Sequence, residues 1–135
     1  MIKPEFWGPS AWKFMHYISL GYPINPSEND KLNYKNFYYS LQYILPCEKC
    51  QINYRKNILE NPIDNFLKDR ESLTKWVIDI HNKVNLETNK SIYDYEEAIS
   101  LYKNHTNTND YLLKIILFII FIIILYLFIK DKSFV

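Results

Sequence analysis

Residues 72–85 read SLTKWVIDIHNKVN. Leu73, Trp76, Val77, Ile80 and Val84 recur at intervals of three and four, the spacing that lays one apolar stripe along an α-helix. Ser72 reads as the start of that helix. His81 and Asn85 are four apart and share a face, with Asn82 beside both. Neutral polar groups next to an apolar stripe suit hydrogen bonding to a ligand with many donors and acceptors. The same asparagines would also serve as caps at a helix C-terminus.

A helix with so strong a buried stripe needs partners, and the flanking sequence supplies helical ones. Upstream, Trp12, Met15, His16 and Ser19 share a face, and Gly21-Tyr22-Pro23 stops that run. Ser27 followed by Asp30 resembles a capping box. Tyr34, Phe37, Tyr38, Leu41, Ile44 and Leu45 then repeat at helical spacing until Pro46 breaks the pattern. A third helix is expected from Pro46 to about Leu59, with Pro46 at its first position. Downstream, Asp94 is placed to cap a fifth helix with Tyr95, Ala98, Ile99 and Tyr102 facing inward. No run alternates with period two for long enough to make a strand. The fold class is all-α: a four-helix bundle with a short fifth helix.

The apolar residues are concentrated at one end. Residues 111–129 read YLLKIILFIIFIIILYLFI, with Lys114 as the one charge. About 20 such residues are what a helix needs to cross roughly 30 Å of hydrocarbon. The chain of 135 residues is therefore expected to divide into a head (1–104), a polar linker (105–110), a transmembrane helix (111–129) and a short tail (130–135). The head is placed on the cytosolic side of a host or virion membrane, as a single-pass protein. Asn89-Lys-Ser and Asn104-His-Thr match the glycosylation pattern, so sugar on Asn104 would instead put the head in a lumen.

Composition excludes several functions. Lys and Arg number 16 against 15 acidic residues, net +1, so there is no basic excess to drive nucleic-acid binding. Two glycines cannot write a Gly-rich phosphate loop. Two cysteines, Cys47 and Cys50, exclude a disulfide scaffold and a four-cysteine metal site. Zinc would need two further ligands, and His81 and His105 are too far apart for the usual histidine pair; no metal is expected. The excess of Ile, Lys, Asn and Tyr, residues with AT-rich codons, reads as a signature of the genome more than of the fold.

Pro46-Cys47-Glu48-Lys49-Cys50 places two thiols three residues apart at a helix start. Unpaired N–H groups and the helix dipole stabilise thiolate there. A reversible dithiol/disulfide is one reading; two small buried residues or half a metal site are the others. Trp7-Gly8-Pro9-Ser10-Ala11-Trp12, with His16 one turn on, forms an aromatic ledge with a polar edge, or simply a core tryptophan beside a satisfied histidine.

Taken together these pieces resemble the Erv/ALR family of FAD-linked sulfhydryl oxidases. The resemblance runs through Gly8, Trp12, His16, Tyr22-Pro23, Pro46-Cys47-x-x-Cys50, Trp76, the H-N-x-V-N block at 81–85, Lys90 and Tyr93. It spans about residues 5 to 104, and the W-G-P-x-x-W opening is similar to members from large DNA viruses. It implies noncovalent FAD at one end of the bundle, Cys50 as the thiol facing the flavin and Cys47 as the one open to incoming dithiols. It implies that Gly8, Trp12, His16, Tyr22, His81, Asn82, Val84, Asn85, Lys90 and Tyr93 contact the cofactor, with Tyr102 in place of a family tryptophan. It also implies a homodimer through the aromatic helix 27–45, a thioredoxin-like or other dithiol protein as substrate, and oxygen as acceptor giving hydrogen peroxide.

Two departures stand out. The family's structural disulfide falls on Ile78 and Tyr95, so that staple is missing; an apolar Ile–Tyr contact is expected in its place. No second Cys-x-x-Cys shuttle pair is present. Two readings from other classes remain: a membrane-tethered helical adaptor and a zinc-stabilised interaction module. Bound FAD or bound metal in the purified protein separates them.

Overall fold

The computed structural model describes the backbone of residues 2–103 and 108–132, and the side chains of 2–103, 112–124 and 129. Six α-helices occur among them: α1 Pro4–Leu20, α2 Glu28–Ile44, α3 Glu48–Glu60, α4 Arg70–Glu87, α5 Tyr95–Lys103 and α6 Thr108–Lys132. A short 3-10 helix, Ile63–Phe66, joins α3 to α4. No strand occurs among the described residues. The chain forms two units, residues 1–102 and 103–135.

Local chemistry sets most boundaries. Ser27 and Asp30 form the expected reciprocal capping box, with Asp30 N–H donating to Ser27 Oγ at 3.2 Å and Ser27 N–H to Asp30 Oδ2 at 2.9 Å. Asp94 accepts from the Glu96 N–H at 2.8 Å, beside the start of α5. The third and fourth helices begin elsewhere than the sequence pattern suggests. Pro46 stands outside α3, and Cys47 is its N-cap. An extended residue is favoured before proline, and Leu45 is extended with ψ 133°. The cap of α4 is Asp69, whose carboxylate accepts from the Ser72 N–H at 2.7 Å. Ser72 is thus the third residue of the helix rather than its opening.

In the first unit α1 packs on α4, α2 on α3 and α3 on α4. Trp76, Leu73, Val77 and Ile80 of α4 lie in the core with Met15, Tyr38, Tyr54 and Ile58. Burying a side chain such as Trp76 is worth about 3–5 kcal/mol by comparison with truncation to alanine. Its indole N–H also donates to Asn61 O at 2.8 Å, closing the end of α3 on α4. Of the sequence's apolar set on α2, Ile44 departs: it is 67% exposed.

Three tyrosines are as buried as the aliphatic core, and each directs its hydroxyl to a backbone carbonyl of another element. Tyr38 donates to Met15 O at 2.9 Å, Tyr54 to Tyr38 O at 3.2 Å, and Tyr22 to Leu67 O at 2.9 Å. A buried phenol needs such a partner, so the tyrosines cross-link helices while filling volume. Part of the tyrosine excess therefore serves the fold.

The expected linker, transmembrane helix and tail fall on the second unit. Residues 108–110 are already helical, and 130–132 continue the same helix; 105–107 and 133–135 lie outside the described residues. Residues 112–124 are exposed and apolar apart from Lys114. Among the described residues, no helix is long and apolar enough to cross a membrane. Thirteen residues rise only about 20 Å, short of the roughly 30 Å of hydrocarbon.

Candidate functional site

The two cysteines form a disulfide, with Cα atoms 5.1 Å apart. Cys47 caps α3 with its sulfur, accepting from the Cys50 N–H at 3.2 Å. Loop 45–47 is fastened from both sides: Cys47 N–H donates to Leu45 O at 2.8 Å, and Gln51 Nε2 to the same oxygen at 2.7 Å. Both cysteines are half-buried, while Pro46 and Lys49 are exposed. Cys50 precedes Tyr54 by one turn, on the side of α3 that packs into the bundle, whereas Cys47 lies outside the helix proper. If Cys47 is attacked, the departing Cys50 thiolate remains in the first turn of α3, where N–H groups and dipole favour the anion.

A second cluster assembles rings from α1, α4, α5 and the segment before α5. Trp12 stacks on His81 with centroids 4.0 Å apart and planes 8° from parallel. His16 stacks on Tyr102 at 4.2 Å and 14°. His16 Nε2 and His81 Nδ1 lie 3.0 Å apart in a hydrogen bond that joins the two stacks, and Tyr93 adds a tilted ring 5.5 Å from His81. An imidazole pair bonded through facing nitrogens needs one to donate and the other to accept, so both rings cannot be cationic at those atoms. Burial, and secondarily the neighbouring His81, pushes His16 down to about 3. Burial, and then the charge of Lys90, pushes His81 down to about 4. Both imidazoles are neutral at physiological pH.

The segment leading to α5 is pinned from α4. Asn82 makes two bonds to the backbone of Tyr93, donating to its carbonyl at 2.9 Å and accepting from its N–H at 2.8 Å. Its side chain is thereby committed to holding Tyr93 beside His81. Lys90 is exposed, and its N–H donates to Asn85 O at 2.8 Å. Near where the resemblance would place the family staple, a polar tie is present. Tyr95 donates to Asp79 Oδ1 at 2.7 Å and lies under the Lys75 ammonium, 5.7 Å from the ring centroid.

Of the residues expected at a cofactor, Trp12, His16, His81, Tyr93 and Tyr102 thus come together, with Asn82 behind them. Asn85 is 5% exposed, on α4 one turn beyond His81. Gly8, half-buried on α1, would have no atom within 4 Å of an added Cβ; protein packing alone does not require glycine there. Val84 is half-buried on α4. Tyr22 does not join the group: it is completely enclosed, packs edge-on against Tyr34 at 4.5 Å, and spends its hydroxyl on Leu67 O. Flat rings gathered from three helices and the segment before α5 fit a planar heterocycle such as a flavin or an adenine. Sequence reading missed Tyr95–Asp79, for which helical spacing gave no sign, and Asp69, an N-cap residue three positions ahead of Ser72. No group of three or more metal-ligating side chains occurs among the described residues.

Comparison with known proteins agrees in family and in fold. The Erv1 / Alr family model matches residues 9–106. The probable FAD-linked sulfhydryl oxidase of Acanthamoeba polyphaga mimivirus is 52% identical over 99 residues, covering 73% of this chain and 69% of that protein. The mitochondrial FAD-linked sulfhydryl oxidase ERV1 of Saccharomyces cerevisiae is 33% identical over 87 residues, covering 64% of this chain and 45% of that protein. This chain therefore spans less than half of the yeast relative's length. The crystal structure of the yeast Erv1 core matches with a TM-score of 0.71 at 30% identity, over 76% of this chain and 86% of that one. The FAD binding domain of Erv1 from the same yeast matches at 0.67 and 31%, over 71% and 90%.

Proposed function

Because the chain belongs to the Erv1/Alr family, we infer that it is an FAD-linked sulfhydryl oxidase that forms disulfides in a partner dithiol protein. The observation that carries this reading is the Cys47–Cys50 disulfide at the N-terminus of α3. It is a two-electron acceptor placed where a thiolate leaving group is stabilised.

A substrate thiolate attacks Cys47 Sγ. The Cys47–Cys50 bond breaks as a mixed disulfide forms, and Cys50 leaves as thiolate. The substrate's second thiol, on losing its proton, attacks the substrate sulfur of the mixed disulfide and releases Cys47 thiolate. One substrate dithiol is oxidised and the Cys47–Cys50 pair is reduced, with two protons released. Bound FAD would supply a two-electron acceptor for the reduced Cys47–Cys50 pair, with oxygen as the proposed final acceptor and hydrogen peroxide as product. Trp12, His16, His81, Asn85, Tyr93 and Tyr102 would hold it, with Gly8, Val84 and Lys90 at its margin. Asn82 would act by fixing Tyr93. The neutral histidine pair offers one N–H and one lone pair without placing a cation beside the rings. The test is purification of the chain in detergent. Bound FAD and oxygen consumption with dithiothreitol are expected; a folded, colourless chain that takes up no FAD and leaves dithiothreitol reduced overturns the reading.

Two further parts of the reading concern placement. We propose that α6 anchors the head, on the cytosolic side, in a host or virion membrane. As a helix of 25 residues it is about 37 Å long, and its described side chains are exposed and apolar apart from Lys114. Extraction from membranes by alkaline carbonate would refute it. We also propose pairing of two copies through α2, on which Leu32 is 55% exposed; a monomer by sedimentation would refute that.

A further inference from the structure

The bend that carries the disulfide is held by a side chain that takes no part in the sulfur chemistry. Leu45 is the C-cap of α2 and Cys47 the N-cap of α3, so Pro46 alone separates the two caps. The Leu45 carbonyl oxygen accepts twice. Cys47 N–H donates to it at 2.8 Å, closing a three-residue γ-turn around Pro46. Gln51 Nε2 donates to it at 2.7 Å, reaching back six positions from α3. The Gln51 N–H donates to Cys47 O at 3.0 Å. Gln51 therefore grips the chain on both sides of Pro46, with its backbone at Cys47 and its side chain at Leu45.

Few other contacts fix this bend. Tyr43 and Ile44, in the last turn of α2, are 66% and 67% exposed, and Pro46 is exposed. Leu45 packs its side chain against the core, and the proline ring restricts its own φ while offering no N–H. Gln51 is half-buried. The worth of its tie depends on the state of the cysteines. With the Cys47–Cys50 bond in place the loop is already closed, so the amide meets the Leu45 oxygen at little cost in chain entropy. Once that bond is reduced, the same contact must order the loop without it. A contact that is stronger in one of two states shifts the equilibrium toward that state.

We propose that Gln51 is a positioning residue for the thiol–disulfide exchange: by holding the Leu45 carbonyl it keeps Cys47 beside Cys50 and favours their disulfide over the dithiol. The proposal rests on the oxidase reading above and adds the residue that sets how readily a substrate reduces the pair. In that exchange the substrate dithiol loses two electrons and two protons and becomes a disulfide, while the Cys47–Cys50 bond breaks and its sulfurs take up both electrons. Gln51 stays a neutral amide throughout and transfers no proton.

The equilibrium between disulfide and dithiol tests this on the full chain in detergent, without oxygen. Graded buffers of reduced and oxidised glutathione, and of dithiothreitol for the reducing range, set the poise; alkylation and mass measurement count the free thiols. Gln51→Met keeps the length of the side chain without its donor, and Gln51→Leu removes the donor with another shape. Both should move the equilibrium toward the dithiol by about fivefold, the factor that one ordinary hydrogen bond gives. Both should also lower the melting temperature of the disulfide form more than that of the dithiol form. An equilibrium that neither variant moves overturns the proposal. An equal fall in melting temperature in the two redox states also overturns it, because a merely structural tie behaves so. Either result leaves the oxidase reading standing. Failure of the wild-type chain to oxidise dithiothreitol in air overturns the oxidase reading, whereas the Gln51 equilibrium is read without turnover.

Discussion

The disulfide end of α3 and the ring cluster of α1, α4 and α5 solve opposite problems. Cys47 and Cys50 stay half-buried, next to exposed Lys49 and a helix N-terminus, because thiolate must form there and a partner must reach it. His16 and His81 are 1% and 7% exposed, and their burial keeps them neutral. One region favours charge and the other excludes it. The same helix bundle does both because a helix terminus is a source of uncompensated N–H groups, whereas the middle of a packed helix has none to offer. What is gained is separation: sulfur chemistry can proceed without ionising the rings beside which a flavin would lie.

That contrast can be broken most severely at the sulfur. Cys50→Ser removes the leaving thiolate, so turnover with dithiothreitol should fall to background while bound FAD is retained. Activity near the wild-type rate would reject the role of Cys50, and loss of FAD would reject the independence of the two regions. The next effect belongs to the histidines. Their folded proton affinities lie below the ordinary value of 6.5, at about 3 and about 4. The unfolded chain therefore binds more protons than the folded one between those values and 6.5. The stability they contribute is complete above about pH 7 and is lost as the pH falls through 6.5 toward 4. Between pH 7 and pH 5 the FAD-free chain should lose about 3 kcal/mol, measured by urea unfolding. His16→Gln should remove about half of that dependence; a flat profile in the parent chain would show that the pair is not buried neutral.

The smallest change tests the polar tie between Tyr95 and Asp79. The Asp79 carboxylate, accepting from it, pushes the Tyr95 phenol up to about 12, so the bond persists at neutral pH. Tyr95→Phe should cost about 1 kcal/mol and weaken FAD retention through α5, with no effect on the reactivity of the Cys47–Cys50 disulfide toward dithiols. An unchanged melting temperature would mean that Asn82, Ala98 and the Tyr102 stack hold α5 without this tie.

Much of this was legible in local spacing. The apolar periods of 34–41 and 73–84, the Ser27–Asp30 box and the cap at Asp94 depend on residues within one or two turns, where helical geometry leaves little choice. Prediction failed where a competing local feature was stronger. Pro46 pulled the expected helix start onto itself, but the extended residue before it leaves Cys47 as the cap. Ile44 fits the period yet lies on the last turn of α2, beyond the neighbouring helices that cover Tyr38. Tyr22 shares its neighbourhood in sequence with the ring-bearing helix but turns into the core after Gly21.

By itself the sequence determined the helices, the family to which they belong and the pair of cysteines at a helix start. Each is a matter of residue types at short spacing, read by a backbone with one dominant period. Only the tertiary structure decided that Trp12 lies on His81, that His16 bonds His81 across 65 positions, and that Tyr102 closes the stack. It alone decided that the histidines are neutral and that Gln51 meets the end of α2. Proton affinity follows from how much water reaches a group and which charges surround it, and the reach of Gln51 follows from the bend that packs α3 on α2. Both are properties of the packed bundle.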